Sequence, residues 1–370
     1  MANSSLINAR DAKNDEFYTL HADIEKEINA YLDFDENVFK NKTILLPCDD
    51  PEWSNFTKFF AQNFQRLGLK KLISTSYAVE SKIYKYYQPT LFETESPIFD
   101  NNKTRINGKI FTLTKDENND GKINIDDLKW NYLKGDGDFR SEEVKLLRDE
   151  ADIIITNPPF SLFREFVSWI MEANKKFLII GNENNVSYKE FFPLLKDNKV
   201  WLGTTAPKMF TIPEGAEGKN VKVINGIRYQ QFGNTRWFTN LEHGRRHEKT
   251  DFMTMEQNLK HSKHRNSEKW YCVYEKYDNY NAIRVPYFDS IPSDYSDVMA
   301  VPISFIENYC PEQFEIVGIT DRGNEWGLKT KTYTKEDAKN YSDLNRRSVV
   351  IIDGNYKMQF PELLVRFKRL

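Results

Sequence analysis

Short runs of consecutive apolar residues, set between stretches of helical periodicity, constrain this chain more than any other feature. Ile44-Leu45-Leu46, Leu72-Ile73, Ile153-Ile154-Ile155 and Phe177-Leu178-Ile179-Ile180 show no alternation with polar residues. A strand with one wet face alternates, whereas a strand covered on both faces is apolar throughout. Strands are therefore expected at 43–47, 71–76, 152–156, 176–181 and 199–203. Between them lie helical patterns. Phe17, Leu20, Ile24, Ile28 and Leu32 share a face over 16–32, and Trp53, Phe56, Phe60, Phe64 and Leu67 share another. Asp50-Pro51 is suited to start that second helix and Gly68 to end it. Further helices are expected at 141–148, 161–172 and 187–196. The alternation implies an α/β fold, a parallel sheet with helices on both faces, whose ligands bind at the carboxyl ends of the strands.

Two regions break the pattern. Residues 92–135 are expected to form an inserted hairpin with a polar tip. After residue 204 the alternation fades into turns, isolated strands such as 236–241, and a polar stretch, 243–269, holding four of the five histidines. A chain of 370 residues suits two domains. The expected division is 1–245 and 246–370, the second part smaller and mostly strand and loop.

Asn157-Pro158-Pro159-Phe160 follows an apolar strand and precedes a helix, at the ligand end of the sheet. The pattern suits chemistry on an exocyclic amino group, which is a poor nucleophile because its lone pair is delocalised into the ring. The Asn157 side-chain oxygen and a backbone carbonyl of the loop can accept both amino hydrogens and aim the lone pair at an electrophilic methyl group. Pro158 and Pro159 donate no N–H and fix φ, leaving loop carbonyls to face a pocket. The Phe160 ring can stack on a base swung out of a duplex. A plain strand-to-helix turn containing two prolines is the competing reading.

The formal net charge of −3 is not that of a chain basic overall, so any nucleic-acid surface must be local. Basic residues gather at His243, Arg245, Arg246, His247 and Lys249, at Lys260, His261, Lys263, His264 and Arg265, and at Arg366 to Arg369. Solvated faces are the alternative for each cluster. The three scattered cysteines form no disulfide framework and fit a reducing cytoplasm. No leader-like apolar segment opens the sequence, and no apolar run approaches the ~20 residues of a membrane span.

Several segments together resemble the EcoRI-type adenine-specific DNA methyltransferases. They are Asp15-Glu16-Phe17-Tyr18-Thr19, the stretch from Cys48 to Phe56, Gly135-Asp136-Gly137-Asp138-Phe139-Arg140, residues 151–166, and Arg236-Trp237-Phe238-Thr239-Asn240-Leu241. Val301 to Phe305 and Pro311 to Ile316 complete the set, which spans nearly the whole chain in family order. The resemblance implies a Rossmann-like domain binding S-adenosylmethionine over 1–245 and a target-recognition region over 246–370. It implies methyl transfer to N6 of an adenine flipped out of double-stranded DNA, in a restriction-modification setting with a possible partner endonuclease. Phe17, Tyr18 and Thr19 would lie along the methionine part of the cofactor, beside Cys48 and Asp49. Asp138 and Phe139 would hold its adenine. Arg236, Arg245, Arg246, Lys263 and Arg265 are the expected DNA contacts. Where the wider methyltransferase pattern has a Gly-x-Gly loop, this chain has Pro47-Cys48-Asp49-Asp50-Pro51; Asp49 or Asp50 can face the cofactor, or Asp50 can simply cap a helix. Ser74-Thr75-Ser76-Tyr77 offers hydroxyls where an acid is usual.

Asp116, Asn118, Asp120, Lys122 (through its carbonyl) and Asp127 have the spacing of a calcium loop, with Gly121 at the turn. An ion-free polar hairpin tip is the other reading. The histidines at 243, 247, 261 and 264 have no cysteine near and make a poor zinc set. Two rival functions stand beside DNA methylation: an RNA or protein-glutamine amino-methyltransferase, and a DNA-binding subunit without activity.

Overall fold

The computed structural model describes residues 18–49, 54–78, 94–212, 221–264, 267, 273–321, 326 and 328–368. The chain divides into two compact units, Met1–Asn182 with Leu202–His243, and Glu183–Trp201 with Gly244–Leu370. The final changeover falls two residues before the expected 245. Residues 183–201, assigned above to the first part, belong instead to the second. Phe191, Phe192 and Leu195 bury their side chains there, and the expected helix 187–196 shrinks to Phe192–Lys196, with Pro193 in its first turn.

The strands of the first unit are β1 (Tyr18–Thr19), β2 (Thr43–Leu46), β3 (Lys71–Ser76), β4 (Lys109–Leu113), β5 (Lys129–Tyr132), β6 (Ile153–Thr156) and β7 (Lys176–Asn182). β8 (Trp201–Leu202) spans the return from the second unit, and β9 (Met209–Thr211), β10 (Val221–Ile224), β11 (Ile227–Gln231) and β12 (Thr235–Thr239) follow. One sheet runs in the order β5-β4-β3-β2-β6-β7-β12-β8. Its centre is parallel: β2 pairs with β3 and β6, and β6 with β7. The four residues of β2 and the four of β6 are all buried, as their unbroken apolar runs require. From β2 the chain steps to β3 on one side, then later to β6 and β7 on the other. The strand order thus reverses between β2 and β6, the crevice at which such sheets bind ligands.

Two expectations are corrected here. The region 92–135 is not an insertion hung on the sheet: β4 and β5 form a hairpin, but β4 pairs antiparallel with β3 and extends the sheet itself. The strand near 236–241 is not isolated: β12 pairs antiparallel with β7 over five residues. A second sheet, β1-β9-β11-β10, is antiparallel throughout.

The helices are α1 (His21–Phe34), α2 (Asn55–Gln62), α3 (Asn101–Ile106), α4 (Glu142–Glu150) and α5 (Phe163–Glu172). Side chains cap three of them: Ser54 accepts from Phe56 N, Asp100 from Asn102 N and Lys103 N, and Ser141 from Val144 N. The proposed helix start at Asp50-Pro51, with Trp53, lies outside the described residues. Phe56, Phe59 and Phe60 of α2 join Ile24, Ile28 and Tyr31 of α1 and the strand residues Ile44, Leu46 and Trp237 in one buried core. Each such side chain contributes about 1.5–3 kcal/mol of burial.

The second unit contains α6 (Phe192–Lys196), α7 (Met255–His261), β13 (Ile283–Arg284), β14 (Met299–Pro302), β15 (Phe314–Ile319), α8 (Tyr341–Leu344), β16 (Val349–Ile352), β17 (Asn355–Met358) and β18 (Glu362–Phe367). A mixed sheet β13-β14-β18-β15 is its largest piece, with β16 and β17 a separate hairpin.

Candidate active site

Thr156 ends β6, and the next residue is Asn157. Asn157, Pro159 and Phe160 are partly exposed, while Pro158 is buried. Phe160 opens a short 3-10 turn to Leu162, in which Leu162 N donates to Pro159 O at 2.9 Å, and α5 follows directly. Phe163, the first residue of α5, is seated on β7 at Gly181. A β-carbon at Gly181 would lie 2.3 Å from the Phe163 ring, so only glycine admits this close approach.

Asp49 follows β2 across the crevice. Its carboxylate is buried and accepts from Ser54 Oγ on one oxygen and Thr156 Oγ1 on the other, both at 2.6 Å. Its N–H donates to Thr75 O at 3.0 Å, and its carbonyl accepts from Thr57 Oγ1 at 3.2 Å and from Ser74 Oγ. One side chain and its backbone therefore tie the ends of β2, β3 and β6 to the start of α2, one residue before Asn157. Sequence reasoning gave Asp49 to the cofactor; in the structure its carboxylate is a clamp within the protein. Cys48 beside it is a free thiol. Burial, then the nearby Asp49 and Asp138 carboxylates, pushes that thiol well up, so it stays protonated.

The loop carrying Asp138 is stitched onto β3. Gly137 has φ of 88°, and a β-carbon there would meet Ser76 O at 2.4 Å. Ala78 N donates to Asp136 O at 2.8 Å. The Asp138 carboxylate accepts from Arg140 N and Nε on one oxygen and from Nη2 on the other. Burial pushes its pKa up, but the Arg140 hydrogen bonds and charge outweigh this and hold it low. Phe139, expected with Asp138 to hold the cofactor's adenine, is fully buried, with its ring edge-on to Phe166 at 5.0 Å and Trp169 at 5.6 Å.

Tyr18 and Thr19 form β1, paired with β9, and Asn55 Nδ2 of α2 donates to Thr19 O at 2.8 Å. Phe17 lies outside the described residues. The buried hydroxyls Thr19 Oγ1 and Thr75 Oγ1 have no hydrogen-bond partner among the described residues.

Phe160 belongs to an aromatic cluster that the sequence did not announce. Its ring meets Phe232 at 5.7 Å and Phe210 at 6.5 Å, and these two meet each other at 5.6 Å, all edge-on. Phe210 lies on β9 and Phe232 just after β11, fifty and seventy-two positions along. No local signal joins them to the Asn-Pro-Pro-Phe loop.

The expected DNA contacts separate into different kinds. Arg245 is exposed. Arg246 is buried, its guanidinium 3.4 Å from the Trp201 ring centre and its Nη2 2.6 Å from Asn198 Oδ1. That removes it from the phosphate-binding set. Arg236, on β12, is half-buried and donates to Thr235 O at 3.0 Å. Lys263 is exposed and pairs with Asp289 at 2.8 Å. Arg265 lies outside the described residues. His243, counted in a basic surface cluster, is buried with Nε2 2.8 Å from Leu202 O.

The acidic loop at 116–127, read either as a calcium loop or as an ion-free hairpin tip, spends its side chains on its own backbone. Asp116 accepts from Asn119 N and Gly121 N, Asn118 from Asp120 N, and Asp120 from Lys122 N. Asp127 accepts from Glu117, Asn118 and Asn124 N, and these bonds, led by that from Asn124, hold its pKa low. The side chains thus serve the loop's own amides. Among the described residues no group of three or more His, Cys, Asp or Glu is placed to hold a metal ion. No helix among them is long and apolar enough to cross a membrane.

The family model described as "Adenine-specific methyltransferase EcoRI" matches residues 5–368. The chain is similar to the Type II methyltransferase M.EcoRI of Escherichia coli, 40% identical over 85% of this chain and 89% of that protein. It is 34% identical to the Type II methyltransferase M.MgeORF184P of Mycoplasma genitalium, and 31% identical to M.MpnI of Mycoplasma pneumoniae. Each of those two matches covers 93% of this chain and 96% of the relative. No solved structure matches the chain.

Proposed function

The chain belongs to the EcoRI family of adenine-specific methyltransferases, and from that premise we propose that its first unit is a Rossmann-like domain binding S-adenosylmethionine, with Asn157 to Phe160 as the catalytic loop. It is a DNA adenine methyltransferase of the restriction-modification type. The observation that carries the site assignment is the crevice between β2 and β6: the strand order reverses there, and Asn157 leaves β6 one residue after the Thr156–Asp49 bond.

The residues present fit the cofactor. Two buried hydroxyls without hydrogen-bond partners among the described residues support this: Thr19 Oγ1 on β1, whose carbonyl accepts from Asn55 at the start of α2, and Thr75 Oγ1 on β3, whose carbonyl accepts from Asp49 N. Tyr18, Thr19, Cys48 and the outer side of Asp138 would hold it. When bound, S-adenosylmethionine supplies a methyl group made electrophilic by its sulfonium. The chain's part is to present the amine. The Asn157 carboxamide oxygen accepts one N6 hydrogen, and a carbonyl of the proline pair accepts the other. Phe160 stacks on the extruded adenine, its ring held edge-on by Phe210 and Phe232. The N6 proton becomes acidic as the C–N bond forms, so no general base is needed at the amine.

We assign target recognition to the second unit, with Arg245 and Lys263 as phosphate contacts. A partner endonuclease acting at the same site is part of this reading, supported by the Type II names of the relatives. RNA and glutamine amides, admitted by the loop motif alone, gain no support from those names. The test is nucleoside analysis and modification-detecting sequencing of DNA from cells expressing the chain. N6-methyladenine at one recurring sequence is expected; its absence would overturn the proposal.

A further inference from the structure

One exposed element of the first unit has no part in the site described above: the hairpin of β10 and β11. Its turn residues Asn225 and Gly226 have φ of 50° and 79°, the turn that matches the twist of a two-residue hairpin. The tip is therefore short and stiff. Every residue from 222 to 227 is exposed. Val223 is 66% exposed, Ile224 44% and Ile227 50%, and Ile224 lies opposite Ile227 across the strands. A lone exposed apolar side chain is ordinary; here Ile224 and Ile227 form a cross-strand apolar pair on one face of the tip, with Val223 beside Arg228 on the other, so both faces carry exposed apolar side chains. Lys222 and Arg228 flank the tip, and residues 221–231 contain no acidic side chain, a charge that complements a polyanion. The hairpin is also coupled to the catalytic loop. β11 pairs with β9, which bears Phe210, and runs into Phe232, the two rings that meet Phe160.

We propose that this hairpin tip is a wedge for duplex DNA, inserting Ile224 and Ile227 beside the target adenine and occupying the space that base leaves. The proposal rests on the adenine-extruding function given above. Apolar side chains pushed between bases unstack them. Extrusion forfeits the pairing and stacking of the target, and inserted isoleucines offset part of that loss. Lys222 and Arg228 meet flanking phosphates.

The test compares wild type with the double variant Ile224→Ser plus Ile227→Ser. Both substitutions are at exposed positions and keep the Asn225-Gly226 turn. Two substrates are used: a duplex carrying the mapped methylation site, and the same duplex with an abasic position opposite the target adenine, where pairing is already lost. The variant is expected to bind S-adenosylmethionine like wild type, to lose at least tenfold in single-turnover methylation of the intact duplex, and to recover most of that on the abasic duplex. Unchanged methylation of the intact duplex, or equal loss on both substrates, would overturn the wedge. A wild type inactive on both would overturn the methylation reading itself, and the wedge with it.

Discussion

Thr156 shows how much of this site depends on single side chains. Its hydroxyl donates to the buried Asp49 carboxylate at 2.6 Å, and Asn157 is its neighbour. Thr156→Val keeps the shape and removes the donor, leaving a buried carboxylate short of a bond. A loss of about 1–3 kcal/mol in urea unfolding is expected, together with slower turnover, and Thr156→Ser should restore most of both. Equal behaviour of the Val and Ser variants would show the bond to be incidental. The arginine pair at 245 and 246 separates by the same logic. Arg245→Ala should lower DNA affinity and flatten its log–log salt dependence by about one unit, with stability changed by less than ~0.5 kcal/mol. Arg246→Ala should instead destabilise the fold by about 1–2 kcal/mol, through loss of its packing on Trp201 and its bond to Asn198. An unchanged salt slope for Arg245→Ala would place that residue away from the DNA. The sequence showed both arginines in one basic cluster; only the fold shows that one of them lies against a ring forty-five positions away.

Elements were legible where burial was two-sided. β2, β3, β6 and β7 stand where the apolar runs lie, because strands covered on both faces admit no polar alternation. β12 was visible as a strand but not as part of the main sheet, since its pairing with β7 joins segments more than fifty residues apart. β4 and β5 looked like an insertion because their polar connection hid an edge that continues the sheet. The Asn-Pro-Pro-Phe loop stands where its strand-to-helix context placed it, between β6 and α5, but no local signal joined Phe210 and Phe232 to it, and the Phe139 ring packs on its own core, as an aromatic does as readily as on a ligand. The junction of α5 with β7 gives a prediction at this scale. Gly181→Ala puts a methyl 2.3 Å from the Phe163 ring. Overpacking of this kind costs ~1–3 kcal/mol, and the displaced start of α5 should also disturb the loop that precedes it. Thermal unfolding and turnover are expected to fall together; a variant with wild-type stability would mean that Phe163 moves aside freely.

At the scale of the whole molecule, the chain is a sheet unit interrupted by residues 183–201, which belong to a second unit completed by 244–370. That interruption was hidden because a short helix, Phe192–Lys196, continues the α/β rhythm while burying its apolar residues in the second unit. The first unit brings Asp49 and Asn157 to one crevice, while Arg245 and Lys263 stand in the second; chemistry and target reading are assigned to different parts of the chain. The central claim is that the Asn157 carboxamide acts on the adenine amine and not on the cofactor. It is tested most directly by Asn157→Ala, measured twice: S-adenosylmethionine binding by calorimetry, and single-turnover methylation of the mapped DNA site. Cofactor affinity should stay within a few-fold of wild type. The methylation rate should fall by roughly two orders of magnitude or more, as expected when an oriented transition-state contact of ~2.7–4 kcal/mol is removed. Near-wild-type methylation, or a loss of cofactor binding large enough to explain the whole drop in rate, would contradict the account.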